Sequence, residues 1–185
     1  TAMIDGFTTW TLAEFKNENF ILAGRSMGAL KRNVIGPMLQ ILAAKGIPHF
    51  YHRSENFLEV GSNTYYCFGA NNEAAQDVLQ GLTAAGAYAD DGALFPRNFV
   101  EQMIGRCSVD GSRIWINANP QGPFHYLKTD YIDQADEKGI VRLQFTLDDN
   151  LTLSEQVKER YRRMFSGVFY KRNILGLWVM AEGIV

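Results

Sequence analysis

Gly86-Ala87-Tyr88-Ala89-Asp90-Asp91 is the stretch on which the reading of this sequence turns. Small and apolar residues suit a strand inside a sheet, and two acids then leave it in succession. Working outward, Asn19–Gly24 and Arg113–Asn117 read as further short buried strands. Residues 2–16 carry Met3, Phe7, Trp10 and Phe15 near one helical stripe. Residues 26–45 form a second helical stretch, disturbed at Gly36-Pro37, and 71–80 a third. Pro96 fits the first turn of a helix carrying Phe99, Val100, Met103 and Ile104. His49–Arg53 is strand-like, and Gly61-Ser62-Asn63 between Phe57–Val60 and Thr64–Phe68 signals a hairpin. Val141–Leu147 alternates like a strand, and Thr152-Leu153-Ser154-Glu155 is a capping box opening a helix to about residue 165. Strands alternating with helices predict an α/β fold with a mostly parallel sheet flanked by helices. Such sheets bind ligands beyond the carboxyl ends of their strands. Three ends qualify: Gly24-Arg25-Ser26, Asp90-Asp91 and Asn117-Ala118-Asn119-Pro120.

The acids at the second end suit phosphate chemistry. Mg²⁺ prefers hard oxygen ligands, so Asp90 can hold it directly or through water, and Asp91 can polarise an attacking water. The same residues also read as a solvated Asp-Asp-Gly turn. Asn117 and Asn119 offer neutral donors and acceptors beside a ligand, or simply an Asn-Pro turn. Asp148-Asp149-Asn150 reads first as loop and cap chemistry. Lys158, Arg160, Arg162, Arg163, Lys171 and Arg172 form a basic segment interleaved with aromatics, read as a solvated face or as a phosphate or partner contact.

Composition sets the bounds. The chain has 185 residues and a formal charge of −2, so it is not a basic nucleic-acid binder as a whole. Cys67 and Cys107 lie in apolar runs without metal spacing and are expected to be reduced. His49, His52 and His125 share no ligand spacing. No apolar run reaches the roughly 18 residues of a membrane helix, and a cytosolic setting is expected. Thr1 opens straight into a helical pattern and Gly183-Ile184-Val185 closes on an apolar run, so a fragment of a longer protein is expected.

In order, these pieces resemble the ATPase domain of the bacteriophage terminase large subunit, a DNA-packaging motor. The resembling run begins with Phe20-Ile21-Leu22-Ala23-Gly24-Arg25 and Leu79 through Asp91. It continues through Phe99-Val100-Glu101-Gln102, Arg106, Asn117 through Pro123, and Asp149-Asn150, and closes with Gly167 through Val179. The resemblance implies a P-loop NTPase of the ASCE or RecA-like type, using ATP and Mg²⁺. It places Asp90 on the Walker B aspartate that ligates the metal, and Asp91 on the catalytic carboxylate. Asn117, Ala118 and Asn119 fall on the motif that couples phosphate state to movement. Arg106 is a candidate for sensing phosphate or a neighbouring subunit, and Thr1 for the last residue of the phosphate-binding loop. Double-stranded DNA, the small terminase subunit, the portal protein and a homo-oligomeric ring are the implied partners, in the host cytoplasm and without a membrane. The whole chain, residues 1–185, is expected to be one ATPase domain, with 150–185 a helical subregion leading toward a nuclease domain that lies outside it.

Three departures stand out. The sequence holds no glycine-rich Walker A loop and no strand leading into one, which predicts a sheet open beside the strand bearing Asp90. Asp91 stands where the family usually has Glu, one methylene longer. Gln80 stands where some members have a bridging arginine. Two other classes remain open: a non-catalytic core acting only in assembly, and a metal nuclease built on Asp90, Asp91, Asp148 and Asp149.

Overall fold

A computed structural model describes residues 1–181; the apolar end Gly183-Ile184-Val185 lies outside the described residues. The chain divides into two compact units, Thr1–Asn117 and the part from Ala118 onward. That division falls well upstream of residue 150, where the helical subregion was expected to begin.

The first unit is built on α1 (Ala2–Glu14), β1 (Asn19–Gly24), α2 (Met27–Leu30), α3 (Gly36–Ala44), β2 (His49–His52), β3 (Phe57–Val60), β4 (Asn63–Gly69), α4 (Glu73–Gln80), β5 (Gly86–Ala89), α5 (Arg97–Arg106) and β6 (Arg113–Ile116). The six strands make one sheet in the order β2-β3-β4-β1-β5-β6. β4, β1, β5 and β6 are parallel, whereas β2 and β3 add antiparallel strands at one flank. The hairpin follows from the two-residue connection Gly61-Ser62, with Asn63 drawn into β4 opposite Val60.

Alternation along the strands feeds two apolar layers. Phe20 and Leu22 of β1, Leu58 and Val60 of β3, Tyr65 of β4 and Tyr88 of β5 join Phe7, Leu30, Val34, Met38 and Leu42 in one buried cluster. Each such side chain contributes about 1.5–3 kcal/mol on leaving water. Phe68, on the other face of β4, meets Phe99 of α5. α1 runs against the strand direction: Phe7 packs on Tyr88 at 5.4 Å, and Trp10 lies under the Arg113 guanidinium at 5.8 Å, at the start of β6. The helix therefore begins at the carboxyl end of the sheet. Its far end is capped by buried Asn63, whose Nδ2 donates to the Phe15 carbonyl at 3.1 Å while its Oδ1 accepts from the Glu18 N–H at 3.1 Å.

The disturbance expected at Gly36-Pro37 is a π turn, Lys31–Ile35, between α2 and α3. In a regular helix the Pro37 ring would clash with the Asn33 carbonyl, four residues back. The wide turn relieves this, and Gly36 N–H donates instead to the Lys31 carbonyl. Gly69, at the end of β4, lets α2 seat on the sheet: a Cβ there would lie 2.9 Å from the Met27 nitrogen.

The sheet is not open beside β5, contrary to expectation. β5 is paired with β1 on one side and β6 on the other, so among the described residues the unpaired edges are β2 and β6. A strand missing from this order would leave β5 covered.

In the second unit, α6 spans Glu155–Met164, followed by a short turn α7 (Gly167–Phe169) and a π turn (Tyr170–Ile174). The strand expected over Val141–Leu147 does not form: the segment joins no ladder among the described residues, and Val141 and Leu143 are 86% and 74% exposed. An alternating pattern supplies a face, but a strand also needs a neighbour to take its N–H and C=O groups. The capping box is also displaced. Ser154 caps α6 by accepting from the Val157 N–H at 3.3 Å, while the Thr152 hydroxyl is taken by Asn150 Oδ1 at 2.6 Å. A reciprocal cap forms instead between Thr146 and Asp149, at the short turn Leu147–Asp149. No described helix is long and apolar enough to cross a membrane.

Candidate functional site

The site is at the carboxyl end of β5. All four residues of the strand are buried, and the Asp90 N–H extends its ladder by donating to the Ala23 carbonyl at 2.8 Å. The chain then breaks direction. Asp91 adopts a left-handed conformation, φ 61° and ψ 47°. Asp tolerates this region better than most residues, and sustained backbone strain of this kind collects at functional sites. Gly92 follows so close to β6 that a Cβ would stand 2.6 Å from Ile116 Cγ2.

Asn117, the residue after β6, holds the turn in place. Its backbone N–H donates to the Ala89 carbonyl at 3.1 Å, and its carbonyl accepts from the Gly92 N–H at 2.8 Å. Its side-chain Oδ1 accepts from the Asp91 N–H at 2.9 Å. Its Nδ2 donates to Asp90 Oδ1 at 3.0 Å and to the Tyr88 hydroxyl at 3.3 Å. The other Asp90 oxygen, Oδ2, accepts from Asn33 Nδ2 at 3.4 Å. Two amides, one on each oxygen, thus orient the carboxylate, which keeps unused lone pairs on both oxygens.

Burial and charge both act on Asp91. Burial pushes the Asp91 carboxyl up, the neighbouring Asp90 charge adds to this, and Arg25 at the end of β1 opposes it. Burial also pushes the Tyr88 phenol up to about 12, against the Asn117 hydrogen bond, so it stays protonated. Mg²⁺ takes one or two carboxylates and keeps several waters. Asp90, with oriented oxygens, meets that requirement.

The remaining predicted residues divide by position. Thr1 is at the start of α1, at the same end of the sheet as Asp90, and makes no side-chain cap there. Arg106 is at the other end: its carbonyl accepts from the Ala84 N–H at 2.9 Å, and its Nη1 donates to the Gln80 carbonyl at 2.7 Å. Ala84 and Asp90 are six residues of extended chain apart, about 20 Å at ~3.3 Å per residue. Arg106 therefore does not reach the acids of its own chain. Asn119 is in the second unit, two residues beyond Asn117. Asp148 pairs with Arg162, and Asp149 caps Thr146. Among the described residues no three His, Cys, Asp or Glu converge as a metal cage. Asn33 and Arg25 were missed as site residues. Arg25 is marked in the sequence by its strand end and by its place in the family-like run, without a role, and Asn33 by nothing but its place in a helix it does not favour.

The sequence matches the terminase large subunit family, T4likevirus type, N-terminal, over residues 7–185. No curated protein matches it. Among solved structures it is similar to the large terminase of a thermophilic bacteriophage, with 49% identity over 98% of this chain and a TM-score of 0.94. The chain spans 46% of that protein's length. The same thermophilic-phage terminase in complex with ADP aligns over the same share of both chains, with 49% identity and a TM-score of 0.92. The ATPase domain of the Thermus phage P74-26 large terminase shares the fold, with a TM-score of 0.67 at 11% identity, over 95% of this chain and 82% of that one. By its match from residue 7 to its last residue, and by its likeness to the thermophilic-phage protein, this chain belongs to the phage terminase large subunit family, in its N-terminal part.

Proposed function

We propose that this chain is the ATP-hydrolysing portion of a motor subunit that drives double-stranded DNA into a prohead. The observation that carries the reading is the clamped acidic turn Asp90-Asp91 at the carboxyl end of a parallel sheet, where phosphate ligands of such folds are bound. Nucleotide binding by the similar thermophilic-phage terminase, solved with ADP, supports it. Catalysis in this class is positioning plus electrostatics rather than covalent chemistry. Asp90 would hold Mg²⁺, which supplies charge neutralisation on the phosphates when bound. Asp91 orients and polarises the attacking water, helped by burial that makes its carboxyl a better proton acceptor than an exposed Asp. Thr1, at the head of α1, stands at the phosphate end, and Asn117 and Asn119 carry the nucleotide state into the chain beyond. Arg106, a strand length from its own acids, suits contact with a neighbouring copy in a ring. The small terminase subunit and the portal protein complete the proposed assembly, in the host cytoplasm.

The test is ATP turnover by the full-length subunit that carries this sequence. Asp91→Asn is expected to lower kcat by about 100-fold or more with KM nearly unchanged, because a general base contributes on that order. Wild-type turnover in both Asp91→Asn and Asp90→Ala would remove the acidic turn from the chemistry.

A further inference from the structure

We propose that Asn33 is a positioning residue for Asp90, holding the carboxylate oxygen that Asn117 leaves untouched. The inference rests on the reading of Asp90 as the metal ligand. Asn33 Nδ2 lies 3.4 Å from Asp90 Oδ2, and Asn117 Nδ2 lies 3.0 Å from Oδ1. The two donors come from different elements, the π turn after α2 and the end of β6. Each oxygen of the carboxylate thus has its own amide donor, and rotation about the Cβ–Cγ bond would break both contacts.

The backbone around Asn33 gives the contact a structural origin. A regular helix would set the Asn33 carbonyl against the Pro37 ring; the chain widens into a π turn at Lys31–Ile35 instead. Widened turns of this kind recur at functional sites. The residue is exposed, so an amide there contributes little to the core. Its partner is a charged oxygen, and a hydrogen bond to a charged group is stronger than one between neutral groups. Groups that hold a ligating carboxylate from behind typically change metal affinity by about 10–100-fold when removed.

The experiment is Mn²⁺ binding, read by electron paramagnetic resonance, to the full-length subunit saturated with ADP. Asn33→Leu keeps the shape and loses the donor; it is expected to weaken Mn²⁺ about 10-fold. Asn33→Gln restores a donor and is expected to recover most of that loss. Asp90→Ala is expected to weaken Mn²⁺ more than either, and the thermal midpoints of the Asn33 variants should match the wild type. Wild-type affinity in Asn33→Leu, with Asp90→Ala impaired, overturns the positioning role and leaves the metal reading standing. Failure of Asn33→Gln to recover what Asn33→Leu loses also overturns it. Equal affinity in Asp90→Ala and wild type overturns both readings.

Discussion

Two thiols show how strongly burial governs single residues here. Cys67 and Cys107 are both free, and desolvation pushes each thiol from the ordinary value near 9 up to about 12. Folding therefore favours the protonated thiol. The stability tied to it is complete below about pH 9 and is lost as the pH rises from there through about 12. At pH 8 buried Cys67 should not react with iodoacetamide faster than the chain opens, half-buried Cys107 should react slowly, and guanidinium should expose both; rapid labelling of Cys67 in the folded chain would contradict its burial. Asp91 at the site follows the same rule, pushed up by desolvation before its neighbour's charge is considered. Asp90, Asp91 and Asn117 were legible in the sequence because each stands where an apolar run stops, and a strand end is where a sheet of this type meets its ligand. Asn33 was not legible. Its contact with Asp90 spans 57 residues and depends on how a proline four positions on deforms a helix.

Among elements, α1 is the one whose termination is most specific. Beyond its own backbone bond from Phe15 N–H to the Thr11 carbonyl, its end is capped by Asn63 of β4, through bonds to the Phe15 carbonyl and the Glu18 N–H, and Asn63 is 2% exposed. Asn63→Ala should cost about 1–3 kcal/mol, the range for leaving buried backbone groups without a partner. Urea unfolding should show a lower midpoint with an unchanged slope, and a midpoint within error of wild type would contradict the cap. The strands of the parallel core were readable as short apolar runs bounded by polar residues, and the observed β1 matches its expected limits, Asn19–Gly24. The misreadings share one cause. Val141–Leu147 has the period of a strand but no partner among the described residues, and Thr152 has the chemistry of a cap but spends its hydroxyl on Asn150. Local pattern shows what a segment is able to do; pairing decides whether it does so.

At the scale of the whole molecule, the fold has two units of different character. The first is organised by a six-stranded sheet, and the second by short helices, turns and extended chain. The extended part carries apolar side chains in water, Val141 at 86% and Leu143 at 74% exposure. Replacing both with Lys should leave the unfolding free energy within about 0.5 kcal/mol, as for other exposed positions, and raise solubility. A loss of several kcal/mol, measured by chemical denaturation, would show that these side chains are packed. The boundary between the units was not visible beforehand, because no linker-like composition marks residues 117 and 118.

That boundary gives Asn117 a mechanical meaning. It is the last residue of the first unit, and five hydrogen bonds moor it to Tyr88, Ala89, Asp90, Asp91 and Gly92. Tension drawn along the chain from Ala118 meets that mooring first. Five bonds gathered at one residue would each take part of such a load before β6 left β5. The acids that would work on phosphate are thus fastened to the residue from which the onward chain leaves, so the two share one point of attachment.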